Sequence, residues 1–374
     1  MPKAAETDAR LSNLLFLDAT GVEWHRKHGM SDRMRGGSKP HAARLMSAPG
    51  HSPPIILLYD SRGAADFLGP ADRKLVTVEL DRLPDVRAVV FHVPSAPDIR
   101  GIHKREGQIW VAWSMESDVW YPQLSSVDYM KYFDLTMTYR LYSDIPNPYF
   151  GIGTAQALLR KAAPKTEIAP AVFVASNIWD RSGRFDYVRE LMRYLPVDSY
   201  GKCLNNRTVL EDTGRQTKLD ILACYKFTLT FENSIGRDYV TEKFFDALEA
   251  GSVPVYLGAP NIDEFGPGQH CFINASKFRN PRALADYLLY LAANESEYES
   301  YLAWKEAPLA PAFLEKAARY DEGPFSRLNT ILRGRAAGSD IRDLQRDPMH
   351  AVVRLVARNP RMMGQKANSV VSPY

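Results

Sequence analysis

The chain has 374 residues, of which 45% are hydrophobic and 24% are charged. That balance excludes a mostly disordered or collagen-like chain, and the length allows roughly two domains with well-buried cores. Lysine and arginine number 47 against 44 aspartates and glutamates, a net charge of +3, too small an excess to predict a nucleic-acid-binding surface.

The N-terminus starts polar, and Leu14 to Leu17 is too short an apolar run for a signal peptide or a membrane span. No later segment approaches the ~18 apolar residues that a span requires, so the chain reads as soluble and cytosolic. Residues 26–54, rich in Arg, Lys, His, Gly, Ser and Pro, read as loop. Apolar runs then predict strands at Ile55 to Asp60, Leu75 to Leu80, Ala88 to Pro94, Ile109 to Glu116 and Phe133 to Arg140. Continuous rather than alternating apolar strands point to a parallel sheet covered on both faces. The prolines and glycines of 144–170 mark a crossing between domains, with a helix-like AQALLRKAA inside it. A second unit follows: a strand at Ala171 to Asn177, a helix at Arg184 to Leu195, strands at Val197 to Gly201 and Tyr225 to Asn233, a helix at Thr241 to Gly251, a strand at Ser252 to Gly258 and a helix at Asn280 to Asn294. Alternation of strand and helix predicts a doubly wound α/β domain. Cys203, Cys224 and Cys271 are widely spaced, with no C-x-x-C or zinc pattern, and read as reduced thiols. From 333 to 366, eight Lys and Arg stand against three Asp, predicting a solvated helical tail or a contact with a membrane surface or acidic partner.

The informative stretch runs from Tyr225 to Gly258. A strand ends in Phe231-Glu232-Asn233, a polar loop carries Gly236, Arg237, Asp238 and Tyr239, and a helix begins with Glu242-Lys243 in its first turn. Open α/β sheets bind ligands beyond the carboxyl ends of their strands. A helix N-terminus there offers free N–H groups and a positive dipole end, which suit a phosphate. Lys243 opposes that dipole and needs a compensating anion, either a phosphate ligand or one of Glu242, Asp238 and Asp246. Ser176-Asn177 closes the first strand of the unit, and Arg184 opens the next helix with the same awkward placement. Two cations at neighbouring strand ends suit a diphosphate, and they equally suit two surface ion pairs. The chain has no G-x-G-x-x-G, no P-loop and no Asp-x-Asp clamp for a divalent metal. In the first unit Glu116 ends an apolar strand, either as a surface cap or as a base. Trp110, Trp113, Trp120 and Tyr121 around it suit a sugar-stacking wall or an ordinary core.

FENSIGRDYVTEKFFDALEAGSVPVYLGAPN resembles the signature of the α1,3/4-fucosyltransferases, F-E-N-S followed by D-Y-[IV]-T-E-K and G-[ST]-V-P-V-x-x-G. WSMES, FDLTMTYR, PKTEIAPAVFVASN and DSYGKC stand in the family's order, so the likeness covers about residues 85–330. SMES, PKTE, SYGKC, YVTEKFF, GAPNIDEF and Trp304-Lys305 are most similar to the core α1,3-fucosyltransferases, which modify the asparagine-linked GlcNAc of N-glycans.

The resemblance implies an α/β fold of GT-B architecture, two Rossmann-like domains with a cleft between them. Residues 1–160 would be the acceptor-binding domain, 161–335 the GDP-fucose-binding domain and 336–374 a basic tail. By motif position, Arg184 and Lys243 fall on the phosphate-binding cations and Glu242 on the carboxylate that holds the ribose hydroxyls. Ser176, Asn177, Gly201, Asn233 and Tyr239 fall in the donor pocket, and Glu116 on the general base. The resemblance further implies an inverting transfer from GDP-fucose to the 3-hydroxyl of a GlcNAc-containing acceptor, the N-glycan core or a chitobiose-like glycan. No cofactor is expected to be required, with Mn2+ or Mg2+ at most stimulatory, and no nucleic acid is expected as partner. LacNAc-type acceptors and a non-catalytic GDP-sugar-binding module are the alternatives. The expected setting is cytoplasmic, as for a bacterial-style soluble enzyme, or the Golgi lumen if a membrane anchor precedes the chain.

Overall fold

The computed structural model describes residues 56–59, 68–95, 99–150 and 153–336. The loop expected over 26–54 and the tail beyond 336 lie outside the described residues.

The first unit holds β1 (Ile56–Tyr59), the short helix α1 (Pro70–Arg73), β2 (Val76–Thr77), β3 (Ala88–His92), β4 (Ile109–Ser114), the short helix α2 (Val127–Met130) and β5 (Leu135–Thr138). The strands form one parallel sheet in the order β2-β1-β3-β4-β5. β4 is buried along its whole length because both faces are covered. Ile109, Val111 and Trp113 join one core with Ile56 and Val90, while Trp110 joins another with Leu57, Val89 and Phe91. The strand expected over Leu75 to Leu80 shrinks to two residues. It lies at the sheet edge with only β1 as a neighbour, and the chain turns into a 3-10 turn at Leu80–Arg82.

After α3 (Thr154–Leu158) in the proline-rich crossing, the second unit runs β6 (Ala171–Val174), α4 (Arg184–Leu191), β7 (Val197–Tyr200), α5 (Arg215–Ala223), β8 (Phe227–Phe231), α6 (Glu242–Ala250), β9 (Val253–Leu257), β10 (Ile273–Asn274) and α7 (Pro281–Ala293). Its sheet is also parallel, in the order β10-β9-β8-β6-β7. α5 has no counterpart in the sequence reading because only Leu219 and Leu222 of its nine residues are buried. α6 stops at Gly251, whose φ of 71° lies in the left-handed region. A side chain there would also meet Ala162 of the crossing at 2.7 Å. α7 begins where the Asn280 side chain accepts from the Ala283 amide at 2.9 Å, with Pro281 in the first turn.

The chain closes with α8 (Glu295–Ser300), α9 (Pro311–Arg319) and α10 (Pro324–Ala336). α10 returns to the first unit. Its Phe325, Leu328, Ile331 and Leu332 complete the core of the first sheet, with Phe325 edge-on to Trp113 at 5.4 Å. Asp72 of α1 caps it, accepting from the Ser326 amide at 2.8 Å and the Ser326 hydroxyl at 2.7 Å. A further core is shared by both units: Tyr139, Tyr149 and Phe150 pack with Phe244, Phe245, Phe265 and Phe313. Among the described residues no helix is long and apolar enough to cross a membrane.

Candidate functional site

The carboxyl ends of β4 and β8 meet at the seam between the units. On the second-unit side β8 runs into Glu232, which is completely buried. Its Oε1 accepts from the Thr241 amide at 2.7 Å and its Oε2 from the Thr241 hydroxyl at 2.8 Å. Gly258, just past β9, makes room for it: a Cβ there would lie 2.6 Å from Glu232 Cγ. Because the Thr241 hydroxyl is turned to Glu232, it does not cap α6, and the first amides of that helix have no side-chain cap.

Lys243 Nζ donates to Thr241 Oγ1 at 2.8 Å and Glu242 Oε1 at 3.2 Å, and lies 3.4 Å from Glu232 Oε2. Of the three anions considered from sequence, only Glu242 is a partner; the second is Glu232. Asp246 instead pairs with Arg215 and Lys218 of α5. Burial pulls the Lys243 pKa down, but Glu242 and Glu232 push it up and the net shift is upward. Burial raises the Glu232 carboxyl, with Lys243 opposing.

Arg184 is not a surface cation, being 1% exposed. Its guanidinium donates to the Phe231 carbonyl at 3.3 Å and the Asn177 carbonyl at 2.8 Å, tying the end of β8 to the Ser176-Asn177 loop. Burial lowers its pKa, and Glu232 and Asp180 oppose that shift. Asp180 accepts main-chain N–H groups of Ser182, Gly183 and Phe185, which offsets the placement of a cation at the start of α4. Arg184 Nε, Asn233 Oδ1 and Ser234 Oγ are buried without a hydrogen-bond partner, the kind of group a polar ligand satisfies. Gly201 has φ of 91°, and a side chain there would collide with the Ala175 carbonyl. Ser176, Tyr200, Thr230, Glu242 and Lys243 line a cavity between the strand ends and helices α5 and α6.

On the first-unit side, the Ser114 hydroxyl holds the turn after β4, accepting from the Glu116 amide at 3.1 Å and donating to the Glu116 carbonyl at 3.0 Å. Glu116 Oε2 accepts from the Tyr239 hydroxyl at 3.2 Å, across the seam. Thus Tyr239, placed by motif in the donor pocket, points its hydroxyl at the candidate base. Trp110 and Trp113 are core residues. Trp120 meets Trp179 of the second unit at 5.5 Å, edge-on, and Arg181 covers the Trp120 ring at 4.8 Å. Trp179 carried no sequence signal, because a lone tryptophan in a loop has no periodicity to place it. Among the described residues, no group of three or more His, Cys, Asp or Glu is arranged to hold a metal ion.

Family models match both halves of the chain: "Fucosyltransferase, N-terminal" over residues 52–150, and "Glycosyltransferase family 10 (fucosyltransferase) C-term" over residues 163–344. The chain is 34% identical over 251 residues to alpha-(1,3)-fucosyltransferase B of Drosophila melanogaster, covering 60% of this chain and 55% of that protein. It is 35% identical over 230 residues to GDP-fucose protein O-fucosyltransferase 3 of Homo sapiens, covering 58% of this chain and 47% of that protein. The chain therefore spans about half the length of these curated relatives. A crystal structure of an alpha1,3-fucosyltransferase with GDP aligns with a TM-score of 0.49 at 18% identity, over 75% of this chain and 92% of that one.

Proposed function

This chain belongs to glycosyltransferase family 10, the fucosyltransferases, and from that premise we propose that it transfers L-fucose from GDP-fucose to an acceptor hydroxyl with inversion. The observation that carries the reading is the pairing across the seam: an ammonium at an uncapped helix N-terminus on one side, a carboxylate on the other. Lys243 and the first amides of α6 receive the diphosphate, and Glu242 the ribose hydroxyls. Arg184, Asn233, Ser176, Asn177 and Gly201 shape the donor pocket. In the transfer, Glu116 takes the acceptor proton as the acceptor oxygen bonds to the anomeric carbon. The bond from that carbon to the GDP oxygen breaks with its electron pair on GDP. Charge develops on the leaving diphosphate, where Lys243 and the helix dipole stabilise it. The transition state has oxocarbenium character, and one displacement inverts the centre without a covalent enzyme intermediate.

The 3-hydroxyl of a core GlcNAc is the acceptor favoured by the blocks shared with core α1,3-fucosyltransferases. A polypeptide hydroxyl is the second reading, favoured by the 35% identity to a protein named a protein O-fucosyltransferase. Incubation with GDP-fucose and three acceptors (chitobiose, LacNAc, a Ser/Thr peptide), with product linkage read by NMR, decides between them. Donor binding without transfer to any acceptor would leave only a GDP-sugar-binding module.

A further inference from the structure

We propose that the Asp238-Tyr239 turn is a positioning device that reaches across the seam and sets the Glu116 carboxylate; the proposal rests on the reading of Glu116 as general base.

Asp238 has φ of 64°, in the left-handed region that a side chain enters at a cost. It is buried and closely held. Its amide donates to Asn261 Oδ1 at 2.9 Å, and Asn261 Nδ2 donates back to Asp238 Oδ1 at 2.9 Å. Its other carboxylate oxygen accepts from the Leu141 amide of the first unit at 3.2 Å. Two bonds therefore fix the turn within its own unit, and a third fastens it to the other.

The strained turn has a use in the next residue. Tyr239 is 2% exposed, and its ring contacts Tyr139 edge-on at 5.0 Å and Tyr149 at 6.3 Å, both from the first-unit side. Tyr149 is itself fixed beside the base, its hydroxyl donating to the Met115 carbonyl at 2.7 Å. The Tyr239 carbonyl accepts from the Tyr256 hydroxyl at 3.2 Å, so backbone and ring are both held. What remains is the hydroxyl, and it donates to Glu116 Oε2. Burial first, and the Glu116 carboxylate second, hold the phenol well above its usual pKa, so it is a donor at neutral pH. A phenol kept only for packing needs no oxygen at that place. A donor on a carboxylate fixes its rotamer and favours its ionised form, the form a base requires. Since the donor comes from the second unit, the base is set only while the seam is closed.

Tyr239→Phe removes the oxygen and keeps the ring. In the full chain we expect kcat to fall roughly tenfold, the loss of one hydrogen bond to a charged group, with GDP affinity by calorimetry unchanged. The Glu116 carboxyl titration, followed by 13C NMR and assigned by difference from Glu116→Gln, moves up by about one pH unit, and the acidic limb of kcat/KM moves with it. Asp238→Ala has the same effect through loss of the turn. Asp238→Asn, which tolerates the left-handed conformation but can accept from only one of Asn261 and Leu141, restores part of it. The proposal is overturned if Tyr239→Phe leaves the Glu116 titration in place, or if it weakens GDP binding with the titration unmoved, which would make Tyr239 a donor contact. The NMR titration needs no turnover. A shifted titration in a protein that transfers no fucose would therefore uphold the contact and sink the fucosyl-transfer reading separately.

Discussion

The two sheets match in strand number and direction, yet their carboxyl edges are furnished in opposite ways. The second edge encloses a compensated set of charges: Arg184 and Lys243 among Glu232 and Glu242. The first edge holds the Glu116 carboxylate and, beside it, neutral groups and one matched ion pair. His92 is pushed down to about 4 by burial, so it is uncharged at neutral pH, and it shares a 2.7 Å hydrogen bond with Ser95. Thr138 and Ser143 pair with each other, and Asp118 is matched by Arg140. On the proposed function, charge is concentrated at the edge where a diphosphate would have to be neutralised. Cations already held in place by carboxylates would need little reorganisation to receive a phosphate.

The sharpest way to break this contrast is Glu116→Gln. Turnover is expected to fall about 10²–10⁴-fold, the range for a general base, with GDP affinity by calorimetry little changed. Loss of GDP binding as well would end the division of labour between the edges. Lys243→Ala comes next. It should cost roughly 2–4 kcal/mol of transition-state stabilisation, read from kcat/KM. It also leaves Glu232 buried without its cation, so the melting temperature should drop; near-native activity in a folded variant would refute the phosphate assignment.

A pH experiment sharpens the contrast from the other side. The folded pKa of His92, about 4, lies below the ordinary histidine value of 6.5. The folded state then binds fewer protons than the unfolded state between those values, so the stability that neutral His92 contributes is present above about pH 6.5. It is lost as pH falls toward 4, up to about 3 kcal/mol. Urea unfolding at pH 7 and pH 4.5 should show a larger loss in the wild type than in His92→Asn; equal losses would place the acid sensitivity elsewhere. The smallest expected effect is that of metal removal. If Lys243 and the α6 dipole receive the diphosphate as proposed, dialysis into excess EDTA should leave most activity. Complete loss, restored by one divalent ion, would contradict the reading.

The strands of both sheets were legible because parallel strands buried on both faces need unbroken apolar runs, as IWVAWS and FTLTF are. β10, two residues long, was not, and β2 was legible as a strand but not in its length, since pairing at an edge leaves little pattern. α5 escaped because it buries only Leu219 and Leu222, too few to leave a periodic apolar face. Within the site, the sequence offered Glu242 as a partner of Lys243 but not Glu232. Glu232 looked like the polar end of a strand, and only the fold shows it turned inward beneath Thr241. Arg184 was legible as a cation at a helix start, while its enclosure among carbonyls depends on a loop returning from elsewhere in the chain. The bond from Tyr239 to Glu116 joins residues 123 positions apart, and no local pattern encodes such a contact.

The return of α10 has a mechanical consequence. The chain leaves the first unit near Phe150 and comes back near Tyr320, and these two passages touch: the rings of Phe150 and Tyr320 lie 5.6 Å apart, and the Gly153 amide donates to Asp321 Oδ1 at 3.0 Å. Both covalent links between the units therefore pass through one place, bonded to each other. A protease that nicks one passage should yield two fragments that stay together until denaturant is added, because the other passage still holds and α10 is locked in the first core.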